Sequence, residues 1–292
     1  MRLLPPLARR ALVPALGLLA LAGCQPQAPG PPTAAASTPP ATVSEPTPLP
    51  VPSTSLPTPP QPTPAPPSPS AAASNPLLAS LRAGEWSRLP TSRPIVALTF
   101  DAGAGAQGIP SILATLNREH VPGTFFLTGR WVQSYPALAR EIAANQAHSI
   151  ANHTWSHPQL PTLPDALVTG QVIDAENIIL STTGRQPRPL FRFPYGSEDA
   201  RTMADVQRLG YGSIRWTIDT QGWKGAAGGQ SVDLVVGRVM ANLGPGEIVL
   251  MHVGAADDGS TLDADALPRI ISEIRARGYG FVAIWDFIFA HA

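Results

Sequence analysis

Apolar and polar positions follow two distinct patterns from about residue 92 to the C-terminus. Short apolar, β-branched runs bounded by Gly, Pro or polar residues predict buried strands, whereas longer amphipathic stretches predict helices. The predicted strands cover residues 94–100, 123–127, 148–152, 190–193, 212–217, 247–251 and 281–284. The predicted helices cover residues 109–119, 134–145, 164–182, 198–209, 231–242 and 263–277, and a short helix follows the last strand. Ser134 and Ser231 begin two of these helices, where a hydroxyl is expected to act as an N-cap.

Strands that alternate with helices predict a parallel sheet with right-handed crossovers. Both a barrel and an open, doubly wound sheet satisfy the alternation. The side chains suited to chemistry help to choose, because they follow five of the predicted strands. They are Asp101, His153, His157, Arg192, Tyr195, Asp219, Trp223 and His252. In barrels the chemistry gathers at the carboxyl ends of the strands, so this placement favours a barrel with one converging site.

Two histidines and an aspartate indicate a metal site with a nearby base. His153 and His157 are four residues apart, so on a helical turn they lie on one face and can share one metal ion. Thr, Trp and Ser lie between them, so the glutamate of an HExxH zinc protease is absent. Asp101 is the candidate base, and Arg192 can hold its carboxylate ionised and oriented.

An acid on a different strand completes the chemistry. His252 follows the sixth predicted strand and can protonate a leaving group. Asp219 can pair with its imidazole, which would fix the tautomer and raise the pKa of His252. A metal ion, a base and an acid together describe the hydrolysis of an amide or an ester.

Five motifs occur in order along the chain. They are Thr99-Phe-Asp-Ala-Gly103, His153-Thr-Trp-Ser-His157, Arg192-Phe-Pro-Tyr195, Asp219 with Trp223, and Leu250-Met-His252. The set resembles the motifs of the polysaccharide deacetylases, the NodB homology domain or carbohydrate esterase family 4, over roughly residues 92–288. The resemblance implies a distorted, TIM-like (β/α)7 barrel and a divalent metal ion, zinc first, with cobalt or manganese as alternatives. It also implies removal of acetyl groups from N-acetylglucosamine in peptidoglycan or a chitin-like glycan.

The same resemblance implies a role for each matching residue. Asp101 would be the base, held by Arg192, and His252 the acid, tuned by Asp219. The backbone N–H of one residue would help the metal to stabilise the oxyanion, and three side chains would wall the acetyl pocket. The metal ligands are His153 and His157, the oxyanion residue is Tyr195, and the pocket residues are Trp223, Leu250 and Pro194.

The first motif departs from the family pattern at Ala102, where the family has an aspartate as third metal ligand. Two imidazoles alone should bind a metal more weakly. Asp101 could swing in as a ligand, or Asp257 or Asp258, in the loop after His252, could substitute. The alternatives for function are a glycan-binding relative with weak or no turnover, an O-acetyl esterase on a polysaccharide, and an amidase on a non-sugar substrate.

Six other ionisable side chains are expected to be structural or solvated. His148 is interpreted as structural, and His120 and His291 as exposed. The acidic side chains of helix 164–182 are expected on its solvated face. They are Asp165, Asp174 and Glu176.

Proline is concentrated ahead of the alternating region. Of 35 prolines in 292 residues, 19 fall in residues 25–76, with a single charged residue, Glu45, and no aromatic. Such a composition cannot bury enough apolar surface to fold, so we expect a disordered tether rich in polyproline II. A ligand for a proline-binding module is the alternative.

Residues 1–24 have the layout of an export signal. Three arginines precede the apolar run 11–22, which is too short to span a hydrocarbon core of about 30 Å. The run ends in Leu21-Ala-Gly-Cys24, which resembles a bacterial lipobox, and Cys24 is the only cysteine of the chain. The sequence predicts that Cys24 is lipidated. An ordinary cleaved signal with an incidental cysteine is the alternative.

The sequence thus predicts a signal peptide over residues 1–23, a lipidated linker over 24–76 and a catalytic domain over 77–292. The exported protein would be lipid-anchored in the bacterial envelope, at the outer membrane, the cell surface or the periplasm. Its 20 basic residues balance 20 acidic ones, which argues against a nucleic-acid partner. The predicted partners are an acetylated polysaccharide and a membrane, and no protein partner is implied.

Overall fold

The computed structural model describes residues 75–290. Cys24, the predicted signal, residues 24–74 of the predicted linker and His291 lie outside the described residues. The strands are β1 (Glu85–Trp86), β2 (Ile95–Ala102), β3 (Thr124–Leu127), β4 (Ser149–Asn152), β5 (Leu190–Phe191), β6 (Gly212–Ile214), β7 (Ile218–Asp219), β8 (Ile248–His252) and β9 (Gly280–Phe281). The α-helices are α1 (Pro76–Ala83), α2 (Ile109–Glu119), α3 (Gly129–Ser134), α4 (Pro136–Ala144), α5 (Asp165–Thr183), α6 (Ala200–Arg208), α7 (Val232–Ala241), α8 (Leu262–Ala276) and α9 (Ile284–Phe289). Short 3₁₀ turns occur at Leu160–Thr162, Pro194–Gly196 and Gly222–Lys224.

The strands form one curved parallel sheet in the order β1-β6-β5-β4-β3-β2-β8-β7, with β9 beside β2. This parallel half-barrel with its helices confirms the (β/α)7 type of fold. The fifth predicted strand, 212–217, ends early in the structure, at Ile214. This strand, β6, pairs with β5, whereas a separate short strand that was not predicted, β7, begins at Ile218 and pairs with β8. Between them the Arg215 N–H donates to Trp86 O and the Thr217 N–H to Ile248 O, so the chain leaves one neighbour to join another.

The register of the central strands brings the predicted chemistry to one edge of the sheet. Asp101 of β2 is paired with His252 of β8, and the Arg192 N–H donates to Asn152 O at the end of β4. All eight residues of β2 are buried, so this strand runs through the middle of the core. Burial of apolar residues on both faces is what a parallel strand covered by helices requires.

The opposite end of the strands is closed by the first and last helices. Leu78 and Leu81 of α1 pack with Ile284 and Ile288 of α9 in one buried cluster. The side-chain amide of Asn75 donates to Ile288 O at 2.7 Å, which joins the two helices. This end of the half-barrel is therefore apolar and sealed, and the polar strand ends lie at the other.

The predicted helix 134–145 is two helices in the structure. Thr128, not Ser134, is the N-cap, since its hydroxyl accepts the Trp131 N–H of α3. Ser134 is the last residue of α3, and α4 starts at Pro136, whose fixed φ suits a helix start. Ser231 is confirmed as the N-cap of α7, where it accepts the Leu234 N–H. No helix within residues 75–290 is long and apolar enough to cross a membrane.

Candidate active site

A cleft of about 630 Å³ opens at the carboxyl ends of the strands. It brings together five of the predicted site residues from β2, β7, β8 and the turn after β4, namely Asp101, His153, His157, Asp219 and His252. Tyr195, Trp223 and Leu250 also line it. Pro194 is a buried residue of the turn that carries Tyr195 and does not line the cleft. Eight of the ten predicted site residues therefore line one cleft, and the other two, Arg192 and Pro194, do not.

Arg192 lies under the cleft and holds Asp101. Its Nη1 donates to Asp101 Oδ1 at 2.6 Å, and its side chain is fully buried. Two further donors bind backbone carbonyls, Nε to Ile214 O at 3.1 Å and Nη2 to Arg215 O at 3.0 Å. The guanidinium lies 3.9 Å from the ring centroid of Phe126. Arg192 is thus held by three hydrogen bonds and by its contact with the Phe126 ring.

The charge state of Asp101 follows from these neighbours. Burial alone would raise the pKa of its carboxyl group. The nearby Arg192, His153 and His252 outweigh burial and lower that pKa below its ordinary value. Asp101 is therefore an anion at neutral pH, as a proton acceptor must be.

His153 and His157 present two ring nitrogens to one point. His153 Nδ1 lies 2.8 Å from Arg192 O. A carbonyl oxygen only accepts, so in the neutral ring Nδ1 carries the proton and Nε2 has a free lone pair. That Nε2 lies 3.1 Å from His157 Nε2 and 3.4 Å from Asp101 Oδ2. Burial lowers the pKa of His153, and burial with the neighbouring His153 lowers the pKa of His157 to about 4. Both rings are then neutral, the form that binds a metal ion.

The histidine pair lies on a strained turn and not on a helix. Thr154 and His157 have φ values of 70° and 62°, in the left-handed region that such residues rarely adopt. Two hydrogen bonds hold the turn. The Thr154 N–H donates to Asn152 Oδ1 at 2.9 Å, and the His157 N–H donates to Thr154 Oγ1 at 3.1 Å. The four-residue spacing thus brings the rings together through a fixed turn, where strain is often stored at functional sites.

The carboxylate beside His252 is Asp263, not the expected Asp219. Asp263 Oδ2 accepts the His252 backbone N–H at 2.8 Å and lies 3.6 Å from His252 Nδ1. Asp219 instead accepts the Gln221 N–H at 2.8 Å, and its other oxygen lies 3.5 Å from the indole nitrogen of Trp223. The reason is geometric, because Asp219 is turned toward its own loop.

Burial would lower the pKa of His252, but nearby carboxylates outweigh burial and raise it. Asp263 raises this pKa most, and Asp101 and Asp219 raise it by smaller amounts. Asp219 therefore contributes to the field at His252 without touching it. The imidazole remains protonated to higher pH than an ordinary histidine, which suits an acid.

Two aromatic side chains stand at the mouth of the cleft. Tyr195 is 65% exposed, has φ 61°, and places its ring 4.5 Å from the His157 ring. Trp223 is 50% exposed, and its ring lies 6.5 Å from that of His252. Leu250 is buried at the base of the cleft. Two exposed rings thus flank the polar groups of the cleft.

Ala102 leaves the site with fewer ligands than the family pattern implies. Its side chain is fully buried and packs in the same apolar cluster as Phe100. Asp258 accepts N–H groups of Ala227 and Ser260 and the Ser260 hydroxyl, bonds that hold its pKa near 2, so it is not free to replace the ligand. Neither Asp257 nor Asp258 lines the cleft. Among residues 75–290, no three His, Cys, Asp or Glu side chains are arranged to hold a metal ion.

The two imidazoles nevertheless fit a divalent cation. Their Nε2 atoms lie 3.1 Å apart, and the Arg192 carbonyl fixes the His153 tautomer in which the lone pair of Nε2 is free. Catalytic zinc sites commonly have three protein ligands, and this pair supplies two of them. Two imidazoles are thus available to a divalent cation, one protein ligand fewer than such sites commonly have.

A parallel half-barrel with a buried aspartate, a histidine pair and a second imidazole at the strand ends defines a class of barrel hydrolases. Residues 88–214 match the family described as polysaccharide deacetylase. The chain is 34% identical over 197 residues to the peptidoglycan-N-acetylglucosamine deacetylase of Bacillus cereus, covering 67% of this chain and 68% of that protein. The chain belongs to the polysaccharide deacetylase family, divalent-metal hydrolases that act on carbon–nitrogen bonds other than peptide bonds.

Two further comparisons bear on activity. The chitooligosaccharide deacetylase of Sinorhizobium fredii is 32% identical, covering 66% of this chain and 91% of that protein. The solved structure of a family 4 pseudoenzyme from Bacillus anthracis is 29% identical, with a TM-score of 0.64 and coverage of 70% of this chain and 69% of that one. A mutant of that protein, described as having restored enzymatic activity, gives the same TM-score at 30% identity, over 70% of this chain and 71% of that one. The family therefore includes both active and inactive proteins of this shape.

Proposed function

We propose that this protein removes N-acetyl groups from N-acetylglucosamine residues of a polysaccharide, either peptidoglycan or a chitin-like glycan. The pairing of Asp101 with His252 across β2 and β8, beside the histidine pair, carries the proposal. An anionic base and a protonated acid stand on neighbouring strands, as the hydrolysis of an amide requires. The functions of the Bacillus cereus and Sinorhizobium fredii relatives support the choice of an acetylated glycan.

The chain's own residues divide the proton transfers between them. Asp101, anchored by Arg192, accepts a proton from the attacking water. His252 donates a proton to the nitrogen of the departing sugar amine, and acetate is released. The backbone N–H of Tyr195 donates to the acetyl oxygen as it gains charge. When bound by His153 and His157, a divalent cation, with zinc the first choice and cobalt or manganese the alternatives, supplies Lewis acidity.

Release of acetate from a panel of glycans tests the proposal. The protein is incubated with chitooligosaccharides, peptidoglycan and acetylated xylan, each with added zinc, cobalt or manganese. We expect metal-dependent release from one of the first two substrates and its loss in His252→Ala. Release from xylan alone would identify an O-acetyl esterase, and no release with any metal would contradict the proposed activity.

Ala102 and the likeness to the Bacillus anthracis pseudoenzyme favour a second candidate, a glycan-binding protein with weak or no turnover. This candidate keeps the cleft and its aromatic rim and lacks effective metal binding. Calorimetric binding of a chitooligosaccharide together with no acetate release would support it. Turnover with a stoichiometric metal ion would exclude it.

We also propose, from the sequence alone, that Cys24 is lipidated and anchors the protein in the cell envelope, at the outer membrane, the cell surface or the periplasm. The signal-like segment that ends at Cys24 and the proline-rich residues that follow support this. The proposed partners are then a membrane and a fixed polymeric glycan. Mass spectrometry of the mature N-terminus and fractionation of Cys24→Ser test it, since release of the variant into the soluble fraction is expected.

A further inference from the structure

The acid of the proposed reaction has a buried nitrogen that finds no hydrogen-bond partner among residues 75–290. His252 Nδ1 is shielded from solvent, and no group of these residues lies within hydrogen-bond distance of it. The ion-pair partner of Nδ1 is Asp263 Oδ2 at 3.6 Å, a gap that a small rotation of the ring closes. When a histidine exchanges protons through one ring nitrogen, the group that binds the other nitrogen sets the orientation and the protonation of the ring. The group that faces Nδ1 therefore determines how well His252 can act as an acid.

Asp263 is held in place from two other directions. It is buried in the first turn of α8. The Thr220 hydroxyl donates to its Oδ1 at 2.6 Å, and the His252 backbone N–H donates to its Oδ2 at 2.8 Å. The carboxylate thus joins the loop after β7, the end of β8 and α8. A second lone pair of Oδ2 is available to His252 Nδ1.

Gly222 leaves the space that this carboxylate occupies. A Cβ atom at position 222 would lie 2.2 Å from Asp263 Oδ1 and 2.6 Å from its Cγ, closer than non-bonded atoms allow. Gly222 is not among the glycines with positive φ, so its backbone does not itself demand glycine. The Asp263 carboxylate therefore explains why position 222 has no side chain, since a side chain there would occupy the same volume.

We propose that Asp263, reaching in from α8, is the positioning residue that orients His252, and that Gly222 makes room for it. The role in catalysis rests on the proposed function of His252, whereas the contact itself does not. If residue 263 is an alanine, the carboxylate of an aspartate at position 222 would occupy the volume that the Asp263 carboxylate fills. Either position can therefore supply the carboxylate beside His252.

Several other ionisable groups face His252. The carboxylates of Asp101 and Asp219 contribute to its charge state, and it is coupled to the imidazoles of His153 and His157. Asp219 is engaged by its own loop, so its removal is expected to matter less than that of Asp263. A test must therefore separate Asp263 from these neighbours.

The experiment follows the titration of His252 by NMR in the full chain, metal-free and labelled at its six histidines. The signal is assigned from its loss in His252→Gln. We expect Asp263→Ala to lower the His252 pKa by about one unit. Asp265→Ala is the matched control, because Asp265 lies in the same turn of α8 and is exposed, and we expect no shift. Asp219→Asn should shift the pKa by less than Asp263→Ala does.

The double variant Gly222→Asp with Asp263→Ala is the decisive arm. We expect the relocated carboxylate to restore the His252 pKa, whereas Gly222→Asp alone lowers the melting temperature because of the clash. If Asp263→Ala does not fold, Asp263→Asn, which keeps the shape and removes the charge, takes its place. An unchanged His252 pKa in the Asp263 variant, or a larger shift in Asp219→Asn, would overturn the inference.

Turnover supplies an independent readout. In an active enzyme we expect Asp263→Ala to lower kcat with little change in KM, and the double variant to recover most of kcat. A wild-type protein without deacetylase activity would contradict the proposed function and leave the titration test intact. An active enzyme whose His252 titration ignores Asp263 would overturn this inference alone.

Discussion

Asp101 and Arg192, 91 positions apart in the sequence, form a 2.6 Å ion pair at the floor of the cleft, where both side chains are shielded from solvent. Two other donors of Arg192 bind backbone carbonyls, so Asp101 is the only one of these three acceptors that is ionised. The carbonyl of the same arginine fixes the tautomer of His153. One residue thus sets the charge of the base and the orientation of a proposed ligand.

Asp101→Asn is expected to reduce acetate release by about 10²- to 10⁴-fold, since an amide cannot accept the proton. Arg192 keeps its two carbonyl partners, so the variant should remain folded. Steady-state acetate release, with circular dichroism as the check on folding, measures the effect. Retention of more than a tenth of the wild-type rate would show that another group acts as base.

Ala102→Asp is expected to tighten binding of zinc by on the order of tenfold or more, because the family pattern has its third metal ligand at this position. The same change should destabilise the metal-free protein by about 1–3 kcal/mol, since a carboxylate replaces a buried methyl group. Zinc should recover that loss. Calorimetry and thermal melts with and without zinc measure both effects.

Ala104→Asp is the matched control for Ala102→Asp, because it adds the same charge at an exposed position of the cleft. We expect little change in zinc affinity in this variant. Equal affinity of the Ala102→Asp variant and the wild type would show that another group already fills the third position.

His148 is expected to make the fold sensitive to acid. Its buried Nδ1 accepts the Gly123 N–H at 3.1 Å, a bond that the protonated ring cannot accept, and burial with Arg185 nearby lowers its pKa from 6.5 to about 4. The unfolded chain therefore binds the proton first. The contribution, up to about 3 kcal/mol, is complete above pH 6.5 and is lost as the pH falls toward 4.

Urea denaturation of wild type and His148→Gln between pH 4 and pH 7 tests this. The free energy of unfolding of wild type should fall more steeply with acid than that of the variant. His120→Gln, an exposed histidine at the end of α2, should behave as wild type. Parallel pH dependence in His148→Gln and wild type would contradict the prediction.

Tyr211→Phe is expected to lower the free energy of unfolding by about 1–3 kcal/mol. The Tyr211 hydroxyl donates to Glu176 Oε2 at 2.8 Å and accepts from the Asn152 amide at 3.0 Å, all among buried side chains. Its loss leaves both groups short of a partner. Tyr195→Phe, at a ring that is 65% exposed, is the control and should change stability little.

Most of the fold and the proposed base and metal residues could be predicted because each rests on a local pattern. Apolar runs locate β2, β3 and β8, and parallel strands bring the residues after them to one edge. The two-residue strands β1 and β7 are too short to show the alternation of apolar and polar residues that indicates a strand. The early end of the fifth predicted strand and the start of β7 depend on the neighbouring strands in space, which no local pattern records.

The sequence did not predict the burial of two acidic residues, Glu176 and Asp263, and the reason is the same for both. Glu176 was expected on the solvated face of α5 and is buried, paired with Arg188 and Tyr211. Asp263 was expected only as part of a helix. It precedes Leu267 by four residues and Ile270 by seven, all on the buried face of α8, and a charge in such an apolar stripe signals a buried partner.

The sealed end of the half-barrel is a suitable point of attachment because it lies opposite the cleft. Asn75 and Ile288 are hydrogen-bonded to each other, so both ends of the described chain emerge together. The six-residue rise of β2 from Ile95 to Asp101 separates that end from the reacting groups by about 20 Å. A resin or a fusion partner attached ahead of Asn75 should therefore leave the cleft facing the surrounding solution.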